Sequence, residues 1–425
     1  MAHAKLCIAA ALMVAVASAL PTSNRTAPVD YTGHRLVTVA PTTAAHVSLL
    51  SHLQDRFKVD VWQEPNRFGA PALLRLRPEV ADEFVASASS SGMSVTTTCS
   101  DVQELIDNER KEIRFTTYST EKSRFDRYLT FEELNDALKD YAKSYDHVTL
   151  TSIGRSYEGR DLIGVHIKAK DNLPIVFMEC GIHAREWIAH SACLYFIDQL
   201  ATNYEDDKVV RGLVEKYEWR IHPVVNPDGY VYSHTTDRLW RKTRSKSRLS
   251  TECIGADGNR NFETAKFCQT KATDDPCKET YCGDSAFSEP ETRAIRDAVM
   301  DIKDRTEFYF SVHSFGLLWL FPNAHSLPPV QNNDVLANIS LKATEAIKKV
   351  RHTQFDFGST STVLYEAGGT SMDWAYDHAG IKKAFTMELE PSYRVPDWKK
   401  GFMLPPREIP KAVEEAWEGL KAAVA

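Results

Sequence analysis

Apolar and polar positions switch between two periods along the chain, and the switch divides it into two blocks. In residues 35–115, Arg35–Val39, Val59–Trp62, Leu73–Leu76 and Ser94–Thr98 read as short strands, rich in β-branched and apolar residues. Residues 44–57 and a segment from Pro78 to Ser87 have helical apolar spacing. The order β-α-β-β-α-β predicts a small α+β open sandwich. Asp101 to Arg127 is polar and charged and reads as an exposed connector. Its Arg110, Lys111 and Arg114 suit a trypsin-like protease. From Tyr128 onward strands and helices alternate. Predicted strands are Val148–Ile153, Leu162–Ile167, Pro174–Glu179, Trp219–Val225, Phe308–His313 and Ala384–Leu389. Predicted helices cover 130–145, 186–203, 206–217, 289–303, 331–350, 371–379 and 408–423. Several strands are apolar throughout, as a sheet covered on both faces requires. The expected fold class is therefore α/β, with a mixed sheet of about eight strands flanked by helices.

The first residues change the expected compartment. Lys5 is followed by an apolar run from Leu6 to Ala17 and then Ala17-Ser18-Ala19. The run is too short for a membrane span and ends in a small-x-small site, so residues 1–19 read as a secretory signal. A secreted, extracellular protein with no membrane anchor is expected. Secretion makes disulfides the expected state of Cys180, Cys193, Cys253, Cys268, Cys277 and Cys282, with 15 possible connectivities. Cys99 stands alone in the first block, and Asn24-Arg-Thr26 and Asn338-Ile-Ser340 are sequons. The net charge of −7 argues against nucleic acid as a partner.

Candidate chemistry concentrates in Ile175-Val-Phe-Met-Glu-Cys-Gly-Ile-His-Ala-Arg-Glu-Trp187. A strand ends there, Gly181 turns, and a helix begins near Glu186. His183 and Glu186 are three apart and can converge on one ion. Such a pair recurs by chance and needs a third ligand, which His313 offers from the end of its strand. Two histidines, a glutamate and an open fourth position form a catalytic zinc set. Glu388 also ends an apolar strand, where a buried charge is costly without a task. It is the candidate general base.

Seven motifs then stand in order: His183-Ala-Arg-Glu-Trp187, Asn226-Pro-Asp-Gly-Tyr230, Arg238-Leu-Trp-Arg-Lys-Thr-Arg244, Gly258-Asn-Arg-Asn261, His313-Ser-Phe315, Gly368-Gly369 and Phe385-Thr-Met-Glu-Leu389. Together they resemble the zinc metallocarboxypeptidases of the pancreatic A/B type in proenzyme form, over nearly the whole chain. The resemblance implies a carboxypeptidase-like fold with residues 20–114 as activation propeptide and 115–425 as catalytic domain. It implies one zinc ion on His183, Glu186 and His313, a ligand set that is carboxypeptidase A's own. Glu388 is then the base and Arg241 the residue that polarises the scissile carbonyl. Asn259, Arg260 and Tyr365 hold the substrate's terminal carboxylate, Arg185 assists, and Asp257 orients the first zinc histidine. The implied substrates are peptides and proteins with a free C-terminal carboxylate. A trypsin-like protease is the implied activator, and a monomer with a digestive role is expected.

The residue seven after the mobile tyrosine divides A-type from B-type members, and here it is Met372. The matching positions Leu320, Ala324, Thr360 and Thr386 are uncharged. Aliphatic or aromatic C-terminal residues are therefore the expected substrates. The cysteine spacing instead resembles the B-type, with Cys180–Cys193, Cys253–Cys277 and Cys268–Cys282 as the implied bridges and Lys/Arg specificity as the alternative. A zinc-binding homologue with weak catalysis is the other alternative. Glu390-Pro391, the longer loop to Gly401-Phe402 and Phe315 in place of Tyr depart from the family pattern.

Overall fold

The computed structural model describes residues 27–65, 70–117, 123–269, 273–325, 328–392 and 401–425. The signal segment and Asn24 lie outside them. The first block contains β1 (Arg35–Ala40), α1 (Ala44–Phe57), β2 (Asp60–Gln63), β3 (Ala72–Leu76), α2 (Pro78–Ser90) and β4 (Ser94–Cys99). Its sheet runs β2-β3-β1-β4, and every pair within it is antiparallel. Leu50, Leu53, Phe57, Phe84 and Ala88 bring the two helices onto Val37, Val39, Leu74 and Leu76.

Residues 102–117 of the expected exposed connector are instead a helix, α3 (Val102–Thr117), and 118–122 lie outside the described residues. Its Val102, Ile106 and Glu109 are buried. Glu109 accepts from Arg238 Nε at 2.5 Å and Nη2 at 2.9 Å, and the Arg238 guanidinium lies 3.6 Å from the Trp187 ring centroid. A partner 129 residues away thus docks a segment whose own composition is that of a solvated one. Lys111 and Arg114 remain exposed on it.

The large block adds strands β5 (Val148–Arg155), β6 (Asp161–Ile167), β7 (Ile175–Cys180), β8 (Glu218–His222), β9 (Thr306–Gly316), β10 (Leu318–Phe321), β11 (Asp356–Ser359) and β12 (Ala384–Ser392). They form one mixed sheet in the order β11-β10-β12-β9-β7-β8-β6-β5. The central strands β12, β9, β7 and β8 are mutually parallel. Helices α4 (Phe131–Ser144), α5 (Trp187–Thr202), α6 (Lys208–Lys216), α7 (Pro227–Thr235), α8 (Pro290–Met300), α9 (Asn333–Arg351), α10 (Thr360–Val363), α11 (Ser371–Asp377) and α12 (Ile409–Val424) surround it. Every residue of β7 is buried, which explains why its sequence is apolar apart from Glu179. Each such Val, Ile or Phe contributes about 1.5–3 kcal/mol relative to exposure. No helix among the described residues is long and apolar enough to cross a membrane.

Three bridges form, Cys180–Cys193, Cys253–Cys277 and Cys268–Cys282, while Cys99 is free. They are the pairs that the resemblance implied. Two of them staple the segment 253–282, whose described residues carry little regular structure.

One buried acid lies far from this sheet's chemistry. Glu291, in the first turn of α8, accepts from the Tyr157 amide at 2.9 Å, and its Oε2 has no partner. Burial pushes its pKa from 4.5 up to about 8. The folded state therefore holds this proton longer than the unfolded chain does. Its contribution is complete below about pH 4.5 and is lost as pH rises towards 8, by a few kcal/mol on the order of 1.4 per unit. Glu291→Gln should remove that slope and be more stable than the parent above pH 8 in denaturant titrations. An identical pH slope in both proteins would contradict this account.

Candidate active site

Parallel strands of an open α/β sheet deliver side chains at their C-terminal ends, and here β7, β9 and β12 do so together. After Cys180 the chain turns at Gly181, where φ is 67° and a Cβ would stand 1.9 Å from the His190 ring. Only glycine fits that turn. It leads His183 inward and places Glu186 at the N-cap of α5. His313 comes from β9. The β12 residue in register with it is Glu388, so the two side chains emerge on one face.

His183 Nδ1 lies 2.8 Å from Glu186 Oε1, and His313 Nδ1 lies 3.1 Å from Glu186 Oε2. The two Nδ1 atoms are 3.1 Å apart. All three residues are buried, and their candidate ligand atoms lie within 4.8 Å of one another. Two imidazole nitrogens facing each other beside one carboxylate suit a divalent cation, and the N/O donor set suits zinc. The outer nitrogens support the same geometry. His183 Nε2 faces Asp257 Oδ1 at 2.9 Å, and His313 Nε2 faces Ser311 Oγ at 2.7 Å. The Ser314 amide holds Glu186 Oε2 at 3.1 Å.

Burial would raise Glu186, but His183 and His313 outweigh it and hold its carboxyl well below the usual range. Burial would lower His313, yet Glu186 pushes it up to about 9, so an arriving cation must displace a proton there. Burial pushes Glu388 up to about 8, with His313 opposing.

A cavity of about 480 Å³ opens over these strand ends. His183, Glu186, Arg185, Arg241, Asn259, Arg260, Tyr365, Met372 and Glu388 line it; His313 and Asp257 stand behind its wall. Arg241 Nη2 donates to Asp257 Oδ2 at 2.8 Å, and Nη1 is 3.5 Å from Glu186. Arg260 Nη2 donates to Tyr365 Oη at 3.3 Å. Gly369, at φ 77°, passes so close to Arg260 that a Cβ would stand 2.0 Å from its carbonyl oxygen. Thus all eleven residues singled out from the sequence gather at or directly behind one cleft.

Other residues here had no signal in the sequence. Asp60 of β2 receives Arg185 Nη1 at 3.3 Å, Arg75 Nε at 2.9 Å and Trp62 Nε1 at 2.9 Å. Burial alone would raise its pKa; Arg185 and then Arg75 hold it well below the usual range. Arg185 is 1% exposed and sits 4.2 Å from the Phe402 ring centroid. Val47, Leu50 and Trp62 of the first block line the same cavity. Lys278 of the stapled loop pairs with Asp55 of α1 at 3.1 Å. Phe315, without the family's hydroxyl, packs on Phe402 with ring centroids 5.0 Å apart.

Residues 134–419 match a family of zinc carboxypeptidases, and residues 37–109 match the carboxypeptidase activation peptide. Human carboxypeptidase A1 is 32% identical over 398 residues, covering 92% of this chain and 93% of that protein. The crystal structure of carboxypeptidase A from Helicoverpa armigera superposes with a TM-score of 0.85 at 30% identity, over 93% of this chain and 97% of that one. Thrombin activatable fibrinolysis inhibitor superposes with a TM-score of 0.82 at 29% identity, over 92% and 98%. With sequence, fold and donor set in agreement, the chain belongs to the zinc carboxypeptidases: it is a zinc-dependent hydrolase that carries an activation peptide.

Proposed function

We propose that this protein is a secreted zymogen which, once cut, removes aliphatic or aromatic residues from the C-termini of peptides. The observation that carries the reading is an uncharged pocket at the end of the cleft. Met372 is 2% exposed there, beside Leu320, Ala324, Thr360 and Thr386. The boundaries proposed are 1–19 for the signal, 20–114 for the propeptide and 115–425 for the enzyme. A digestive role is proposed with them; the fold alone does not assign it, since a fibrinolysis inhibitor shares it.

In this reading His183, Glu186 and His313 hold the zinc, which supplies Lewis acidity towards water and the scissile carbonyl. Arg260, with Asn259 and Tyr365, takes the substrate's terminal carboxylate through a planar guanidinium. Glu388 takes the proton of the attacking water and returns it to the leaving amine. Arg241 stabilises negative charge that develops on the carbonyl oxygen only beyond the ground state. Asp257 fixes the His183 ring and Arg241 together, since it bonds both.

Latency follows from the same contacts. Arg185 is occupied by Asp60, and propeptide side chains narrow the cleft. Trypsin should cut first after Arg114, then after Arg110 or Lys111; on α3, Lys111 and Arg114 are exposed and Arg110 is half-buried. N-terminal sequencing and release of C-terminal Phe from a blocked dipeptide, before and after trypsin, test this. Uncut protein that works on long peptides at the mature rate would refute latency. Release of internal fragments would refute exopeptidase action.

A further inference from the structure

Behind the proposed zinc ligands lies a carboxylate that the mechanism above does not use. Glu179, on β7, is wholly buried, and its Oε2 accepts no well-formed hydrogen bond, the buried Tyr309 hydroxyl being the donor beside this carboxylate. A buried carboxylate with one oxygen poorly paired costs stability, so packing does not explain it. β7 and β9 run in register here, with Glu179 beside Ser311. Strand alternation puts Ser311 on the same face as His313, two residues on. The Ser311 hydroxyl donates to Glu179 Oε1, and Ser371 donates to the same oxygen at 2.8 Å.

The hydrogen count then decides the state of His313. A serine hydroxyl has one hydrogen. Given to Glu179, it leaves Ser311 Oγ, 2.7 Å from His313 Nε2, as an acceptor. In the neutral ring that can bind a cation, Nε2 must then carry the proton, and Nδ1 keeps the lone pair that faces Glu186 and His183. A competing donor stands nearby. Asn259 Oδ1 accepts from the Ser371 amide, which turns its Nδ2 towards His313 Nε2 at 3.3 Å. Alone, that amide would favour a bare Nε2 and a protonated Nδ1, the tautomer that cannot bind a cation at the site.

We propose that Glu179, acting through Ser311, is a positioning residue that selects the zinc-binding tautomer of His313. The inference rests on His313 being a ligand, as read above. Its test is zinc affinity in the full-length protein, measured by chelator competition. Ser311→Ala and Glu179→Leu should each weaken zinc by about 10- to 100-fold. Glu179→Gln keeps an acceptor oxygen and should recover most of the loss. The double variant Glu179→Leu/Ser311→Ala should be no weaker than the poorer single one, because both act through one bond. The Co(II) spectrum should change in the same variants. Parental zinc affinity in Ser311→Ala overturns the proposal, also where Glu179→Leu fails to fold. Additive losses in the double variant overturn it too. His313→Ala separates the two readings: zinc retained there means the ligand assignment has failed. Zinc lost there but retained in Ser311→Ala means only the role of Glu179 has failed.

Discussion

Glu388→Gln should lower kcat of the trypsin-activated enzyme by about 10²- to 10⁴-fold, the range that positioned proton transfer supplies. Gln keeps the size and one acceptor oxygen of Glu but cannot take a proton. Zinc content and KM should therefore change little. The placement supports this expectation: β12 sets Glu388 in register with His313, and both emerge over the same end of the sheet. Burial that pushes Glu388 up to about 8 keeps it basic enough to take a proton near neutral pH, and a cation in the cleft draws it down. A carboxyl acts as base only when ionised. The parent's kcat/KM should thus fall on acidification through the pKa of Glu388, and the variant's residual rate should lose that limb. A loss below tenfold, or an unchanged acid limb, would remove Glu388 from the role.

Much of the site was legible because its residues end strands with a single reading. The run from Ile175 to Cys180 is apolar but for Glu179 and wholly buried, so the turn after it, and His183 with it, could be placed from the chain alone. Glu388 and His313 were legible for the same reason. Some elements carried no such signal. β10 has only four residues and follows β9 after Leu317, so the apolar pattern does not break between them. β11 reads Asp356-Phe-Gly-Ser359, without apolar alternation, and gains its place by parallel pairing with β10. α7 reads Pro227-Asp-Gly-Tyr-Val-Tyr-Ser-His-Thr235 and has no apolar stripe, because most of it is buried. The docking of α3 depends on the Glu109–Arg238 pair, and the stretch by itself reads as solvated. Asp60, Glu179 and Ser311 gain meaning only when register and domain packing bring partners to them.

Release of C-terminal Phe or Leu should exceed that of Lys, Arg or Glu by more than about a hundredfold in kcat/KM, since each 1.4 kcal/mol is a factor of about ten. The Thr386 hydroxyl donates to Met372 Sδ at 3.4 Å, so the buried thioether faces into the pocket's polar wall as well as its apolar one. Met372, Leu320, Ala324, Thr360 and Thr386 themselves bring no charge to the cleft. The neighbouring Asp373 is turned away: its carboxylate accepts from the Ala324 amide at 2.9 Å and the His325 amide at 3.1 Å. A lysine side chain entering here would lose hydration and find no counter-ion, a penalty of several kcal/mol even after relaxation. Met372→Asp supplies that counter-ion and should move the preference towards Lys and Arg. The shift should be incomplete, because Leu320 and Ala324 remain apolar. The cysteine bridges are the pairs that the B-type spacing implied, yet Cys253, Cys268, Cys277 and Cys282 staple a loop that reaches the cleft at Thr273, Glu279 and Thr280, not at Leu320, Ala324, Thr360, Met372 or Thr386. They can shape which peptides approach without setting the charge of the residue removed. Blocked dipeptides ending in Phe, Leu, Lys and Glu decide between the two guides. A parent enzyme that prefers Lys over Phe would show that the stapled loop, rather than Met372, tracks specificity in this chain.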